Sequence, residues 1–230
     1  MHDDDKDFGT RRSLITGMGV AATGLAIGAA GPAAAQQSSS FSPRRHEQDA
    51  WLDELGRDHR VFIDSARPEG GMEAVHYADN ILRSNRNDYG GSDENFGVVV
   101  CFRRFSTPLG FNDVIWKKYG AEFKRRLDMQ DPRTGEAFKA NPINIDGRRD
   151  LPSMGATIDR MASEGVHFAI CRNATNGISR FLAQATGGDA AEIFAELTSN
   201  GVPNSRFVPA GVMMATRSQE SGYTLLFSGT

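Results

Sequence analysis

Strand-like and helix-like segments alternate along most of this chain, and that order limits the fold more than any other feature. Residues 96–102 are apolar without alternation, which is typical of a strand covered on both faces. Four further strands are predicted at residues 60–64, 166–170, 207–208 and 223–227. Helices are predicted between the strands at residues 72–87, 111–119, 154–161, 174–186, 190–197 and 211–220.

This alternation predicts an α/β fold, namely a three-layer, mainly parallel five-stranded sheet with right-handed crossovers and a flavodoxin-like strand order. In the order 2-1-3-4-5, the first strand lies between the strands that carry Cys101 and Cys171. Neighbouring strands are about 4.8 Å apart, so the two Cα atoms are expected to be roughly 10 Å apart. A disulfide needs Cα atoms within about 7 Å, so two free thiols are predicted.

The N-terminal segment is expected to direct export. A polar leader ends in Arg11 and Arg12, an apolar run follows over residues 14–30, and three alanines at residues 33–35 precede Gln36. A twin-arginine pair at the head of such a run is the bacterial signature for export of a folded protein. Residues 1–35 are therefore predicted to be a cleaved twin-arginine signal peptide, which implies a periplasmic or secreted protein. A Sec-type signal and an uncleaved anchor are the alternatives.

The remainder of the chain is long enough for one domain with a full core. Residues 36–58 are predicted to be a linker with a short N-terminal helix, and residues 59–230 the α/β domain. Residues 120–150 are polar and rich in turn signals. We expect them to form an excursion that packs on a neighbouring subunit or covers the strand ends.

Charge excludes some classes of partner. The formal net charge is −3, and removal of residues 1–35, which hold three basic and four acidic side chains, leaves −2. This balance gives no reason to expect nucleic acid as a partner, or a membrane after signal cleavage. Seven basic residues fall between positions 103 and 126, where they form either a solvated face or the rim of an anion site.

Candidate site residues follow the predicted strands, because ligands of α/β sheets gather at the carboxyl edge. Cys171 is the candidate nucleophile, since it directly follows an apolar run and precedes a helix. A helix N-terminus and an adjacent arginine favour thiolate over thiol, although a buried packing role is the alternative. The candidate ligand-binding residues are Asp64, Gly70, Gly71, Arg103, Arg172 and Asn173.

Other polar candidates are assigned structural roles. Cys101 lies inside an apolar run and is predicted to pack in the core. His76 and His167 have no partner at metal-ligand spacing, so both are expected to be structural. The chain carries no dinucleotide or phosphate-loop motif, and neither a metal nor a cofactor is predicted.

Two separated segments resemble one known family. Residues 165–175 are similar to the "GV-x-F-x-x-C-x-N-T" segment of DsrE/DsrF-like proteins, and residues 207–223 are similar to their closing "V-P-(S/A)-G-V … Q-E-x-G-Y" segment. Residues 104–116 resemble an exported, twin-arginine-bearing branch of the same superfamily. The resemblance spans residues 60–230 and implies a small α/β domain that is often oligomeric, so we expect a homo-oligomer.

The resemblance also bears on function. In cytosolic members a conserved cysteine carries a persulfide during sulfur relay, and Cys171 occupies that position here, which implies small sulfur species as partners. The export signal and the segment at residues 120–150 depart from the cytosolic members. Two functions therefore stay open: a carrier or binder of sulfane sulfur, or a non-catalytic ligand-binding or assembly module of the periplasm. Whether the protein is an enzyme stays open too.

Overall fold

In the computed structural model, which describes residues 42–56 and 58–229, the apolar runs of the sequence form the strands of one sheet. The predicted signal peptide and the first residues of the predicted linker lie outside the described residues. The strands are β1 (His59–Ser65), β2 (Phe96–Phe102), β3 (His167–Cys171), β4 (Ser205–Val208) and β5 (Thr224–Ser228). The helices are α1 (Pro68–Asp88), α2 (Asp113–Leu127), α3 (Ile158–Ser163), α4 (Arg172–Thr186), α5 (Ala190–Ser199) and α6 (Gly211–Glu220).

All neighbouring strands are parallel, in the order β4-β3-β2-β1-β5. The predicted three-layer, five-stranded α/β class is confirmed, and the sheet is consistent with a flavodoxin-like one. The particular order 2-1-3-4-5 is wrong, because β2 and β3 are direct neighbours and Cys101 is paired with Ala169. The chain advances in one direction from β1 to β4, and only the last connection returns to place β5 beside β1.

The direction of these connections determines which face each helix covers. Because parallel crossovers are right-handed, α1 to α5 lie on one face and α6 lies on the other. The first face holds the larger core, in which Phe102 and Phe168 stack with ring centroids 5.8 Å apart. The second face holds a smaller core that includes Phe62 and Cys101. The predicted N-terminal helix is a 3-10 helix, Glu47–Leu52, which packs on this smaller core.

The irregular segment between α2 and α3 packs on the core of its own domain. The ring of Phe138 meets that of Trp116 edge to face, with centroids 6.2 Å apart. The side-chain amide of Asn141 donates hydrogen bonds to the carbonyl oxygens of Leu109 and Phe111. Residues 120–127 belong to α2, and the rest is folded onto the domain by these buried contacts. The structure therefore does not have the extended excursion that we expected at residues 120–150.

An ion-pair cluster closes this segment. Arg148, which is buried, donates two hydrogen bonds to the carboxylate of Asp131 and three to that of Asp150, at distances of 2.8–3.2 Å. Hydrogen bonds from Arg148 hold the pKa of both carboxyl groups below the usual range, and the two carboxylates raise the pKa of Arg148. The cluster joins the two ends of a loop that otherwise has little regular structure.

Candidate functional site

The strand order predicts a crevice at the carboxyl edge of the sheet, between the ends of β3 and β4. After β3 the chain enters α4 on one face, and after β4 it enters α6 on the opposite face. Neighbouring strands that continue on opposite faces leave a gap in which ligands of α/β sheets commonly bind. Cys171, the last residue of β3, is paired with Val208 of β4 beside this gap.

Local geometry holds the Cys171 sulfur at a helix start. Cys171 is the N-cap residue of α4, and its Sγ accepts a hydrogen bond from the N–H of Ala174 at 3.4 Å. The hydroxyl of Thr175 donates to the Cys171 carbonyl oxygen at 3.0 Å, which fixes the backbone. Sγ therefore lies at the positive end of the α4 dipole. Because the residue is only 7% exposed, a reactant that reaches the sulfur must be small.

Cys101 lies on the same face of the sheet, one strand away. Its paired residue is Ala169, and Cys171 follows two positions later along β3. A strand spacing of about 4.8 Å and a rise of about 3.3 Å per residue put the two Cα atoms roughly 8 Å apart. Both cysteines are free, as predicted, although β1 does not separate them. Burial raises the pKa of the Cys101 thiol well above its usual value, and the Asp64 charge adds to this effect.

Asp64 and Arg103, which were each predicted to bind a ligand, bind each other. Nε and Nη2 of Arg103 donate to the two carboxylate oxygens of Asp64, each at 2.7 Å. Asp64 is buried, whereas the Arg103 side chain is 20% exposed. The hydrogen bond to Asp64 raises the pKa of Arg103, so the guanidinium stays charged. Asp64 therefore orients Arg103, whose Nη1 has no hydrogen-bond partner within the described residues.

Two serines that the sequence analysis missed fix the backbone around Arg103. Ser106 Oγ accepts from the N–H of Arg103 at 3.0 Å, and Ser65 Oγ donates to the carbonyl oxygen of Cys101 at 2.7 Å. The two hydroxyl oxygens lie 3.0 Å apart. No sequence signal was available for this arrangement, because Arg103 has no side-chain acceptor and its spacing to Ser106 therefore does not match a capping box.

Gly211, the first residue of α6, was also missed. A methyl carbon built on it would lie 2.7 Å from Cβ of Arg103 and 3.1 Å from Sγ of Cys101. The N-terminus of α6 therefore approaches the sheet more closely than any larger residue allows. The available signal was a glycine at the first position of a predicted helix, three residues after the end of a predicted strand.

Gly70 and Gly71 lie in the first turn of α1, which follows β1, whereas Cys171 is the last residue of β3. A methyl carbon on Gly70 would lie 2.5 Å from the carbonyl oxygen of Ser228. One on Gly71 would lie 2.5 Å from a terminal methyl of Leu109. Close packing explains the small size of both residues, and their binding of a ligand stays a prediction.

Arg172 and Asn173 are exposed in the first turn of α4. The guanidinium of Arg172 lies over the ring of Phe194, 5.8 Å from its centroid, and so extends towards α5. The N–H of Asn173 donates to the carbonyl oxygen of Pro209 at 3.3 Å, which ties the start of α4 to the segment before α6. Of the predicted ligand-binding residues, Asn173 is thus the one with a hydrogen bond between the segments that follow β3 and β4.

The described residues hold neither a cluster of metal ligands nor a helix that could span a membrane. No group of three or more His, Cys, Asp or Glu side chains there could hold a metal ion. His76 and His167 each have an Nδ1 without a hydrogen-bond partner in that part of the chain, and burial lowers the pKa of His167. No helix among those residues is long and apolar enough to cross a membrane.

Comparison of the chain with family models, curated proteins and solved structures gave no match. The resemblance to DsrE/DsrF-like proteins therefore stays a hypothesis that rests on the quoted segments. Any conclusion about function therefore rests on the strand ends, the two thiols and the charges around them.

Proposed function

We propose that this protein is exported through its twin-arginine signal and carries or binds sulfane sulfur on Cys171. The observation that supports this most directly is the position of Sγ, at the N-terminus of a 15-residue helix beside the β3–β4 crevice. The thiol also lies close enough to Arg103 for a charge interaction. A helix N-terminus and a guanidinium both favour an anionic sulfur, whether a thiolate or a persulfide. The family resemblance designates the same residue.

The proposed step needs no external oxidant. The Cys171 thiolate attacks a sulfane sulfur of an inorganic polysulfide, and a bond forms between Sγ and that sulfur. The sulfur–sulfur bond of the donor breaks, and its electron pair leaves with a polysulfide that is one sulfur shorter. The product is a persulfide whose terminal sulfur is anionic.

Mass spectrometry of the full chain after polysulfide treatment tests the proposal. We expect one added sulfur atom on the peptide that contains Cys171, and none in the Cys171→Ser variant. The matched control is Cys101→Ser, which removes the other thiol and should leave the adduct in place. An adduct that survives in Cys171→Ser, or no adduct on the intact chain, would contradict the proposal.

The edge strand β5 favours a second candidate, an assembly module that joins copies of the chain. Leu225 and Leu226 are 45% and 36% exposed on opposite faces of this edge strand. Exposed apolar edge strands readily pair with another strand. Light scattering distinguishes this candidate: a dimer or larger species that dissociates in Leu225→Lys supports it, and a monomeric full chain contradicts it.

A further inference from the structure

A cavity lies at the carboxyl edge, at the ends of β1, β2 and β5. Its volume is about 280 Å³. Three arginines and two phenylalanines supply most of its wall: Arg67, Arg103, Arg104, Phe105 and Phe227. Small-molecule sites commonly measure about 300–1,000 Å³, so this cavity is just below that range and has room only for a small ligand.

The cavity is strongly basic. None of its lining side chains within the described residues is acidic. Arg103 is held by Asp64 through Nε and Nη2, which leaves Nη1 for another acceptor. In the part of the chain that the structure describes, no carboxylate forms an ion pair with Arg67 or Arg104. Arg67 is also the N-cap residue of α1, so the positive end of a 21-residue helix adds to the field.

Two phenyl rings give the cavity flat apolar walls. Phe105 is 45% exposed and Phe227 is 55% exposed. The guanidinium carbon of Arg104 lies 4.8 Å from the centroid of Phe105, and that of Arg103 lies 6.0 Å from the centroid of Phe227. Each ring is thus paired with a cation, an arrangement that holds both groups in place.

The backbone is strained at this place. Arg104 has a φ of 55°, in the left-handed region that residues with a side chain rarely adopt. Such strain persists only where the surroundings fix it, and it is concentrated at functional sites. Here it turns the chain directly after β2 so that consecutive residues, Arg104 and Phe105, both line the cavity.

We infer that this cavity binds a small aryl carboxylate, that is, an anion with one planar apolar ring. The carboxylate would accept hydrogen bonds from Arg104, Arg67 and Nη1 of Arg103, since guanidinium forks match carboxylate geometry. The ring would lie against Phe105 and Phe227, where aromatic contacts add to apolar burial. An inorganic anion would use the charges and leave both phenyl rings in water. The inference does not depend on the proposed function of Cys171.

Benzoate is the probe that tests this site, titrated into the full chain by isothermal calorimetry at low ionic strength. We expect binding that weakens as salt is added, because the ligand is held by charge. Arg104→Gln and Arg67→Gln should each weaken binding about tenfold or more, the loss expected for one charge-assisted contact. Arg103 is not a suitable target, because its removal would leave the buried Asp64 carboxylate unpaired.

The control variant is Arg206→Gln. Arg206 is also an exposed arginine over an aromatic ring, 5.3 Å from the Trp51 ring, but it lies on the opposite edge strand, β4. This variant should bind benzoate as the unchanged chain does. Phe227→Leu should weaken benzoate more than sulfate, which lacks a ring.

Three results would overturn the inference: no binding of benzoate, equal weakening by Arg206→Gln and Arg104→Gln, or sulfate binding as tightly as benzoate. Cys171→Ser should leave benzoate affinity unchanged. Failure of the polysulfide experiment and failure of the benzoate experiment can therefore be told apart.

Discussion

Substitution of Gly211 by alanine tests how closely α6 must approach the sheet. The added methyl carbon would lie 2.7 Å from Cβ of Arg103, about 0.7 Å inside the 3.4 Å at which ordinary contact begins. That Cβ cannot move away easily, because the Arg103 N–H donates to Ser65 and Ser106. Overpacking of this kind costs about 1–3 kcal/mol, and the better helix propensity of alanine offsets about 0.5–1 kcal/mol. The difference between these ranges is about 0–2.5 kcal/mol, and from its middle we expect a net loss of about 1 kcal/mol in the free energy of unfolding.

Urea unfolding followed by circular dichroism measures this loss as a lower midpoint at an unchanged slope. The matched control is Gly177→Ala in α4, where nothing lies within 4 Å of the added methyl carbon. That variant should gain about 0.5–1 kcal/mol, since only the helix propensity changes. An unfolding midpoint for Gly211→Ala at or above that of the unchanged chain would refute the argument that α6 is packed as closely as glycine allows.

Two other predictions concern the ion-pair cluster of Arg148, Asp131 and Asp150, and the predicted signal peptide. Because the folded-state pKa values of Asp131 and Asp150 are lowered, their contribution to stability is present above about pH 4 and is lost as the pH falls through the folded values. Arg148→Met should reduce stability at pH 7 and flatten this acid dependence in pH-resolved urea unfolding, whereas Arg133→Met, an exposed partner of Asp150, should change it much less. Replacement of Arg11 and Arg12 by lysine should abolish periplasmic product in cell fractionation; undiminished product would contradict twin-arginine export.

The sequence pattern located the strands well, because a strand that is buried on both faces is an uninterrupted run of apolar residues. The run at residues 96–102 coincides with β2, and the strand expected at residues 60–64 lies within β1. Helix faces were less certain. Val114 has the spacing of a buried residue but is 58% exposed, while Trp116 is fully buried. Tertiary packing of α2 determines which of these side chains lies inside.

The order of the strands in the sheet could not be predicted from the sequence pattern. Alternation indicates that each connection is a crossover, but it does not give the direction in which the chain moves across the sheet. The pairing of Cys101 with Ala169 joins residues far apart in sequence, and no local pattern records it. The Asp64–Arg103 pair illustrates the same limit at the site. Both residues were selected as candidates, yet the sequence did not indicate that they bind each other.

The two cysteines should differ in reactivity for reasons of access as well as charge. Cys101 is fully buried, its thiol pKa is raised by burial, and Gly211 lies directly over its sulfur. Iodoacetamide reacts with the thiolate, so Cys101 should react only when α6 opens away from the sheet. Cys171 is slightly exposed at the N-terminus of α4, so a small reagent reaches its sulfur without such opening.

Native alkylation without reductant, followed by peptide mapping over time, measures this difference. We expect Cys171 to be labelled at least about tenfold faster than Cys101, which corresponds to an opening free energy of about 1.4 kcal/mol or more. Gly211→Ala provides an internal check, because displacement of α6 should accelerate labelling of Cys101 and affect Cys171 less. Equal rates in the unchanged chain would mean that α6 opens freely, and faster labelling of Cys101 would place the reactive thiol in β2 rather than at the end of β3. A Cys101–Cys171 crosslink would require the Cα atoms to approach within about 7 Å, which the β2–β3 register does not allow without movement of the backbone.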